Sequence, residues 1–220
     1  MSSGSGHPLA YPLTVTIGAL AVCAAWAPFG TLDQLAAIAT VALGVIAYTG
    51  YRLGVAFGLL PFRRSGSPRT VRVTRVRQQH RLVSRSWLQI AGTGRPRWLP
   101  VYFDPTLITL TETEADLSDR TIHSADRRLY PSGRLRDVEP PGRLIDNPSR
   151  PDPDAPAHAA KATRLRRRLL LDAQSTVAAP FAALLWVYID GGSLPTFLAA
   201  TTIAAATTVW LSAIRGSDPT

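Results

Sequence analysis

Two pairs of long apolar segments, one pair at each end of the chain, set the first limit on its fold. A helix of about 20 mostly apolar residues crosses a bilayer. The first segment runs from about Tyr11 to Pro28 and the second from Leu35 to about Tyr51; Leu53 to Phe62 either lies along the inner surface or, the preferred reading, prolongs the second as a tilted helix. The third begins near Leu169 and ends at Ile189, and the fourth covers Thr196 to Ile214. The first shows no polar face, as expected of a helix among lipid tails. Tyr11, Trp26, Phe29, Tyr48, Tyr51, Trp186, Tyr188 and Trp210 gather near segment ends, in the manner of an interfacial aromatic belt.

The links inside each pair are short. Pro28-Phe29-Gly30 breaks the first helix, and Thr31 followed three residues later by Gln34 is a capping-box start for the second. Asp190 to Leu194 forms the other turn, with Ser193 and Pro195 opening the last helix. Pro180 is expected to kink the third. Alanines and threonines in the fourth permit close helix packing. The lone Cys23 lies inside the first segment, so there is no disulfide framework. Met1 to His7 lacks Lys and Arg, unlike the start of a cleavable signal, so the first segment is expected to persist as a helix.

Between the pairs lies a basic middle. Residues 63–97 hold ten arginines, no lysine and no acid. The chain average hides this: 46% hydrophobic residues and a mean hydropathy of +0.07 describe neither part, and the net charge of +9 comes from 24 basic against 15 acidic residues. Basic segments resist translocation, and the two short turns carry Asp33 and Asp190 but no Lys or Arg. The expected protein is therefore multi-pass in the inner (plasma) membrane, with both termini and the middle in the cytoplasm.

Short apolar–polar runs at Thr70 to Val76, Leu82 to Ile90, Trp98 to Phe103 and Leu107 to Leu110 are punctuated by Gly92-Thr93-Gly94 and Asp104-Pro105. They predict four to six strands of a compact antiparallel sheet or small barrel, with weaker strands near Ile122 and at Arg128 to Tyr130. Glu112, Glu114, Asp116 and Asp119 read as a solvated acidic loop. Six prolines between 138 and 157 predict an extended linker. A helix follows from Ala157 to Leu171. The fold class is thus membrane α-helical, four transmembrane helices as two hairpins, with a small all-β cytoplasmic domain inserted between them. Its parts are residues 1–62, the first hairpin; 63–137, the β domain; 138–160, the proline-rich linker; and 161–220, a basic juxtamembrane helix with the second hairpin.

No catalytic grouping stands out. His7, His80, His123 and His158 are scattered without metal-ligand spacing, and Ser84 and Ser86 lack a local base. No phosphate-binding or dinucleotide glycine loop is present, so no cofactor and no enzyme activity are expected. The four segments hold no charged residue away from their edges, which argues against an ion path. Two arginine groups are binding candidates. Arg63, Arg64, Arg164, Arg166, Arg167 and Arg168 flank the middle domain and are placed to contact anionic lipid headgroups. Arg72, Arg75 and Arg77, with Trp87 and Trp98, would form a face for lipid or an acidic partner; nucleic acid is not expected beside an anionic membrane.

Four phrases carry a resemblance: Arg97-Trp98-Leu99-Pro100-Val101-Tyr102-Phe103-Asp104-Pro105, Tyr130-Pro131-Ser132-Gly133-Arg134-Leu135-Arg136-Asp137, Gly142-Arg143-Leu144-Ile145-Asp146, and Arg166-Arg167-Arg168-Leu169-Leu170-Leu171-Asp172-Ala173-Gln174. Over roughly residues 90 to 215 the chain resembles a family of actinobacterial transmembrane proteins of the same layout, in its branch of LucB-like accessory subunits of mycobacterial Mce lipid importers. The resemblance implies a non-catalytic subunit that stabilises or regulates a lipid transport complex, with a permease or ATPase as partner. The alternative from the residues is a membrane-tethered sensor whose arginine-rich domain binds anionic lipid or an acidic partner.

Overall fold

A computed structural model of the chain describes residues 6–63, 67–92, 94–110, 112–124, 127–145 and 153–220. Four helical stretches are long and apolar enough to cross a membrane: Ala10–Phe29, Leu32–Ala56, Leu165–Asp190 and Leu194–Ile214. A curled antiparallel sheet lies between the second and third.

Helix α1 (Ala10–Trp26) runs into a 3-10 turn at Ala27–Phe29, where Pro28 sits. Helix α2 (Leu32–Ala56) starts with the expected capping box: the Thr31 side chain accepts from the Gln34 N–H, and the Gln34 side chain accepts from the Thr31 N–H. It stops at Ala56, so Leu59 and Leu60 are exposed and do not prolong it. The helix expected from Ala157 to Leu171 is two helices, α3 (Ala155–Ala162) and α4 (Leu165–Ala173), because Arg164 adopts an extended backbone between them. In the third span, Gln174–Ala178 tightens to a 3-10 turn just before Pro180, and α5 (Ala179–Asp190) continues it. Gly191, at φ 69°, closes α5 in the left-handed conformation that costs glycine least.

Helix α6 (Leu194–Ile214) is the central one, packing along both α1 and α5. The stripe Tyr11, Val15, Ala19 on α1 meets Trp210, Ala213 and Ile214 on α6, with Val45 of α2 completing the cluster. Trp210 donates from Nε1 to Thr49 Oγ1 at 3.0 Å, tying α6 to α2. Away from this stripe the helices expose Ile17, Leu43, Phe181, Leu185 and Ile189. In water those side chains would remain unburied, whereas lipid tails would cover them at no cost.

The sheet contains β1 (Arg69–His80), β2 (Val83–Ile90), β3 (Arg97–Val101), β4 (Glu112–Leu117), β5 (Ile122–Ser124) and β6 (Arg127–Leu129) in the order β3-β2-β1-β4-β5-β6, and β7 (Arg143–Leu144) also pairs with β1. The chain leaving β6 then runs along β3. Tyr102 N–H donates to Tyr130 O at 2.8 Å, Ser132 N–H to Pro100 O at 2.8 Å, and Trp98 and Arg136 exchange two bonds of 2.9 Å. The sheet thereby curls almost into a barrel around Val73, Leu88, Leu99, Val101, Leu117 and Ile122. Each such side chain contributes about 1.5–3 kcal/mol by leaving water.

Two local readings change. Leu107 to Leu110 is not a strand: Asp104 accepts from the Thr106 N–H at 2.9 Å and Pro105 starts a 3-10 turn over Pro105–Thr109. The acidic stretch at 112–117 is not a loop but β4, with Ala115 and Leu117 inward and the acids outward beside β1. The expected linker contributes β7, and α3 packs on the 3-10 turn after Asp104. Pro148 and Pro151 lie outside the described residues.

Candidate functional site

The chemistry of this chain concentrates where the β domain rests on the helix ends. Alternation puts Val71, Val73, Arg75 and Arg77 on one face of β1, and Val73 and Arg75 stand opposite Ile90 and Leu88, core residues of β2. The inward face of the barrel therefore turns from apolar to cationic along a single strand. A buried guanidinium is tolerated only when paired.

The partner arrives from the other end of the sequence. Arg215 caps α6, and Gly216, at φ 82°, turns the chain toward the barrel. A Cβ there would stand 2.8 Å from Ser132 Oγ and 3.2 Å from Val101 O, so glycine is required for both conformation and space. Asp218 then enters the barrel end. Its N–H donates to Ser84 O at 2.8 Å, and its Oδ2 lies 2.8 Å from Arg75 Nη2. Ser86 donates a short hydrogen bond to the same oxygen, while Thr220 donates to Oδ1 from its N–H at 3.0 Å and its hydroxyl at 2.6 Å. Arg77 Nη1 reaches Thr220 Oγ1 at 2.9 Å, and Arg167 Nε reaches Pro219 O at 3.1 Å. Burial by itself would raise the Asp218 pKa, but Arg75, Ser86 and Thr220 together hold the carboxyl below its usual range.

A second buried carboxylate joins this segment to the helices. Asp172 Oδ2 accepts from Tyr11 OH at 2.6 Å and from Ser217 Oγ at 2.8 Å. The Arg168 guanidinium lies 3.8 Å from the Tyr11 ring centroid and 5.6 Å from that of Phe103. Tyr102 OH donates to Ile214 O at 2.8 Å. Helices α1, α4 and α6 and the barrel are thus held by one polar node.

This arrangement places the expected site residues differently from the sequence. Of the five residues expected on one open face, Arg72 alone is exposed. Arg75 and Arg77 point into the barrel end and are covered by residues 217–220, while Trp87 and Trp98 are buried with Val76 on the opposite side of the sheet. Arg72 Nε lies 3.3 Å from Glu112 Oε1. This pair is solvated, so Arg72→Ala is expected to change stability by about 1 kcal/mol or less in a denaturant melt; a larger loss would contradict its exposure. Of the six expected lipid contacts, Arg164 and Arg166 are exposed, Arg167 and Arg168 serve the node, and Arg64 lies outside the described residues. Arg63 is buried against Asp119 Oδ1 at 2.9 Å, because Phe62 is drawn to the sheet through its N–H to Asp119 O and its carbonyl to Leu135 N–H. Sequence reasoning missed Asp218, Asp172, Tyr11 and Ser217; only the sparsity of acids near so many arginines hinted that buried arginines must recruit them.

At the far end of the helices lies a crevice of about 600 Å³. Helix α6 meets α2 near Thr49 and Trp210, and toward their other ends a wedge opens between them. Its walls include Ile38, Val41, Ala199, Ala200 and Ile203, with Trp26 at one edge. Gln34 Nε2 donates to Asp190 Oδ2 at 3.0 Å, linking the two helix turns at this end.

No protein-family model, curated protein or solved structure matches this chain.

Proposed function

We propose that the chain is a non-catalytic subunit of a membrane assembly, embedded by its four helices with the β domain on the cytoplasmic side. The observation that carries this reading is the wedge between α2 and α6: a crevice walled by apolar and small residues beside a helix rich in alanine and threonine. Small side chains let a neighbouring helix approach closely, which is how membrane helices associate. We take the occupant to be a transmembrane helix of a partner subunit. The β domain suits such a role because the Asp218 and Asp172 contacts fix it to the helix ends, making it a rigid platform for that subunit. The resemblance to LucB-like accessory subunits supports a lipid importer of the Mce type as the assembly, with its permease or ATPase as the partner.

The test is a tagged pull-down from native membranes in mild detergent, read by mass spectrometry. Near-stoichiometric recovery of permease and ATPase subunits is expected. Ala200→Phe, which fills the wedge, should reduce that recovery about tenfold or more while leaving the melting temperature of the chain itself unchanged. Recovery of the bait alone would sink the proposal.

A further inference from the structure

Four arginines far apart in sequence meet at the junction of the β domain and the helix ends. Arg52 lies one turn before the end of α2, Arg85 on β2, Arg136 on the segment that closes the sheet, and Arg215 at the cap of α6. A backbone bridge between Arg85 and Ser217 brings β2 to the end of α6. Gly133, three residues before Arg136, makes room for Arg52: a Cβ on Gly133 would stand 2.8 Å from Arg52 Nη1. The Arg136 guanidinium lies 5.9 Å from the Trp87 ring centroid, two residues along from Arg85. Burial, with repulsion from Arg215, Arg52 and Arg136, pushes the Arg85 pKa down to about 10.

Within the fold, aromatic rings offset part of this charge: the Arg52 guanidinium lies 5.2 Å from the Tyr48 ring centroid, as Arg136 lies over Trp87. Among the described residues, none of the four guanidiniums forms an ion pair or donates a hydrogen bond, and Arg52 Nε is buried without a partner. The C-termini of α2 and α6 supply roughly half a negative charge each. The carboxylate within electrostatic reach of Arg85 is Asp172, already engaged by Tyr11, Ser217 and Arg168. Four positive charges thus face about one negative. Arg136 and Arg215 are exposed, so the group opens to the surface at the level of the helix ends, where lipid headgroups lie.

We propose that Arg52, Arg85, Arg136 and Arg215 form a binding site for a phosphate-bearing anion, supplied either by the headgroup of an anionic lipid or by free phosphate. The guanidinium fork matches phosphate oxygens in bidentate geometry, and an anion here relieves the mutual repulsion of the four. This site goes beyond the subunit reading and requires no partner protein.

The test uses the full chain in an uncharged detergent. Native mass spectrometry counts lipid retained from micelles containing phosphatidylglycerol or phosphatidylcholine, and thermal melts are run with and without inorganic phosphate. One phosphatidylglycerol per chain is expected, in preference to phosphatidylcholine. Arg136→Gln combined with Arg215→Gln alters only exposed side chains and should weaken that binding about 30-fold, whereas Arg72→Gln should not change it. Arg85→Gln is a deeper variant, and the exposed pair decides the matter if it fails to fold. Retained phosphatidylglycerol that phosphate does not displace assigns a lipid. Displacement by millimolar phosphate, with an arginine-dependent rise in melting temperature, assigns the free anion. Binding of both lipids and of phosphate that is equal in the parent chain and the double variant overturns the site.

Discussion

Asp218→Ala is expected to lower stability by about 3–5 kcal/mol, the cost of removing one partner of a buried ion pair. The side chain of Asp218 is fully buried and that of Arg75 is 7% exposed, so water cannot replace the lost carboxylate where it stood. Arg75 would instead have to draw water into the barrel end, and residues 215–220 would be released. Thermal melting of the full chain should fall, and amides in that segment should exchange rapidly with solvent. A melting temperature within a degree or two of the parent would show that the docked segment contributes no stability. The pH dependence has a definite sign. The folded Asp218 pKa lies below its ordinary value of 3.8, so its stabilisation is present above that value and lost as pH falls through the lower folded pKa. Acidification from pH 7 to about 5 should therefore leave the segment docked, and protection there that collapses at pH 5 would contradict the ion pair.

Asp172→Ala is expected to cost a similar amount, about 3–5 kcal/mol, by a different route. It removes the acceptor shared by Tyr11 and Ser217 and leaves Arg168, which is buried over the Tyr11 ring, without the neighbouring negative charge. Tyr11→Phe removes one hydrogen bond to a charged acceptor and should cost about 1.5–3 kcal/mol. Because Tyr11 and Ser217 donate to the same oxygen, the losses from Tyr11→Phe and Ser217→Ala should not add. Detergent-phase melts of the two single variants and the double variant measure this coupling; strict additivity would mean that the two hydroxyls act independently. The wider consequence is mechanical. Asp172 sits at the start of the third span and Ser217 in the segment that plugs the barrel, so this carboxylate couples β-domain position to helix packing.

The sequence by itself determined the elements whose signal is local. Four apolar runs dictated four helical stretches, Thr31 and Gln34 dictated the start of the second, and alternating valines at 71 and 73 dictated a strand. These follow from backbone geometry, because a period of two or 3.6 residues is written in neighbouring positions. The alternation begun by Val71 and Val73 runs on through Arg75 and Arg77, but the sequence reading grouped these two with Arg72 on one open basic face. What closed that surface lies 143 residues from Arg75 in sequence, at Asp218. Tertiary structure likewise decided that Glu112–Leu117 is a strand, since its two apolar inward residues, Ala115 and Leu117, gain their value only by facing Val71 and Ile122 across the sheet. It also decided that arginines 52, 85, 136 and 215 share one place. Charge pairing and charge clustering act through space and leave no spacing rule along the chain, which is why the sequence announced many arginines and the fold alone distinguished buried, solvated and clustered ones.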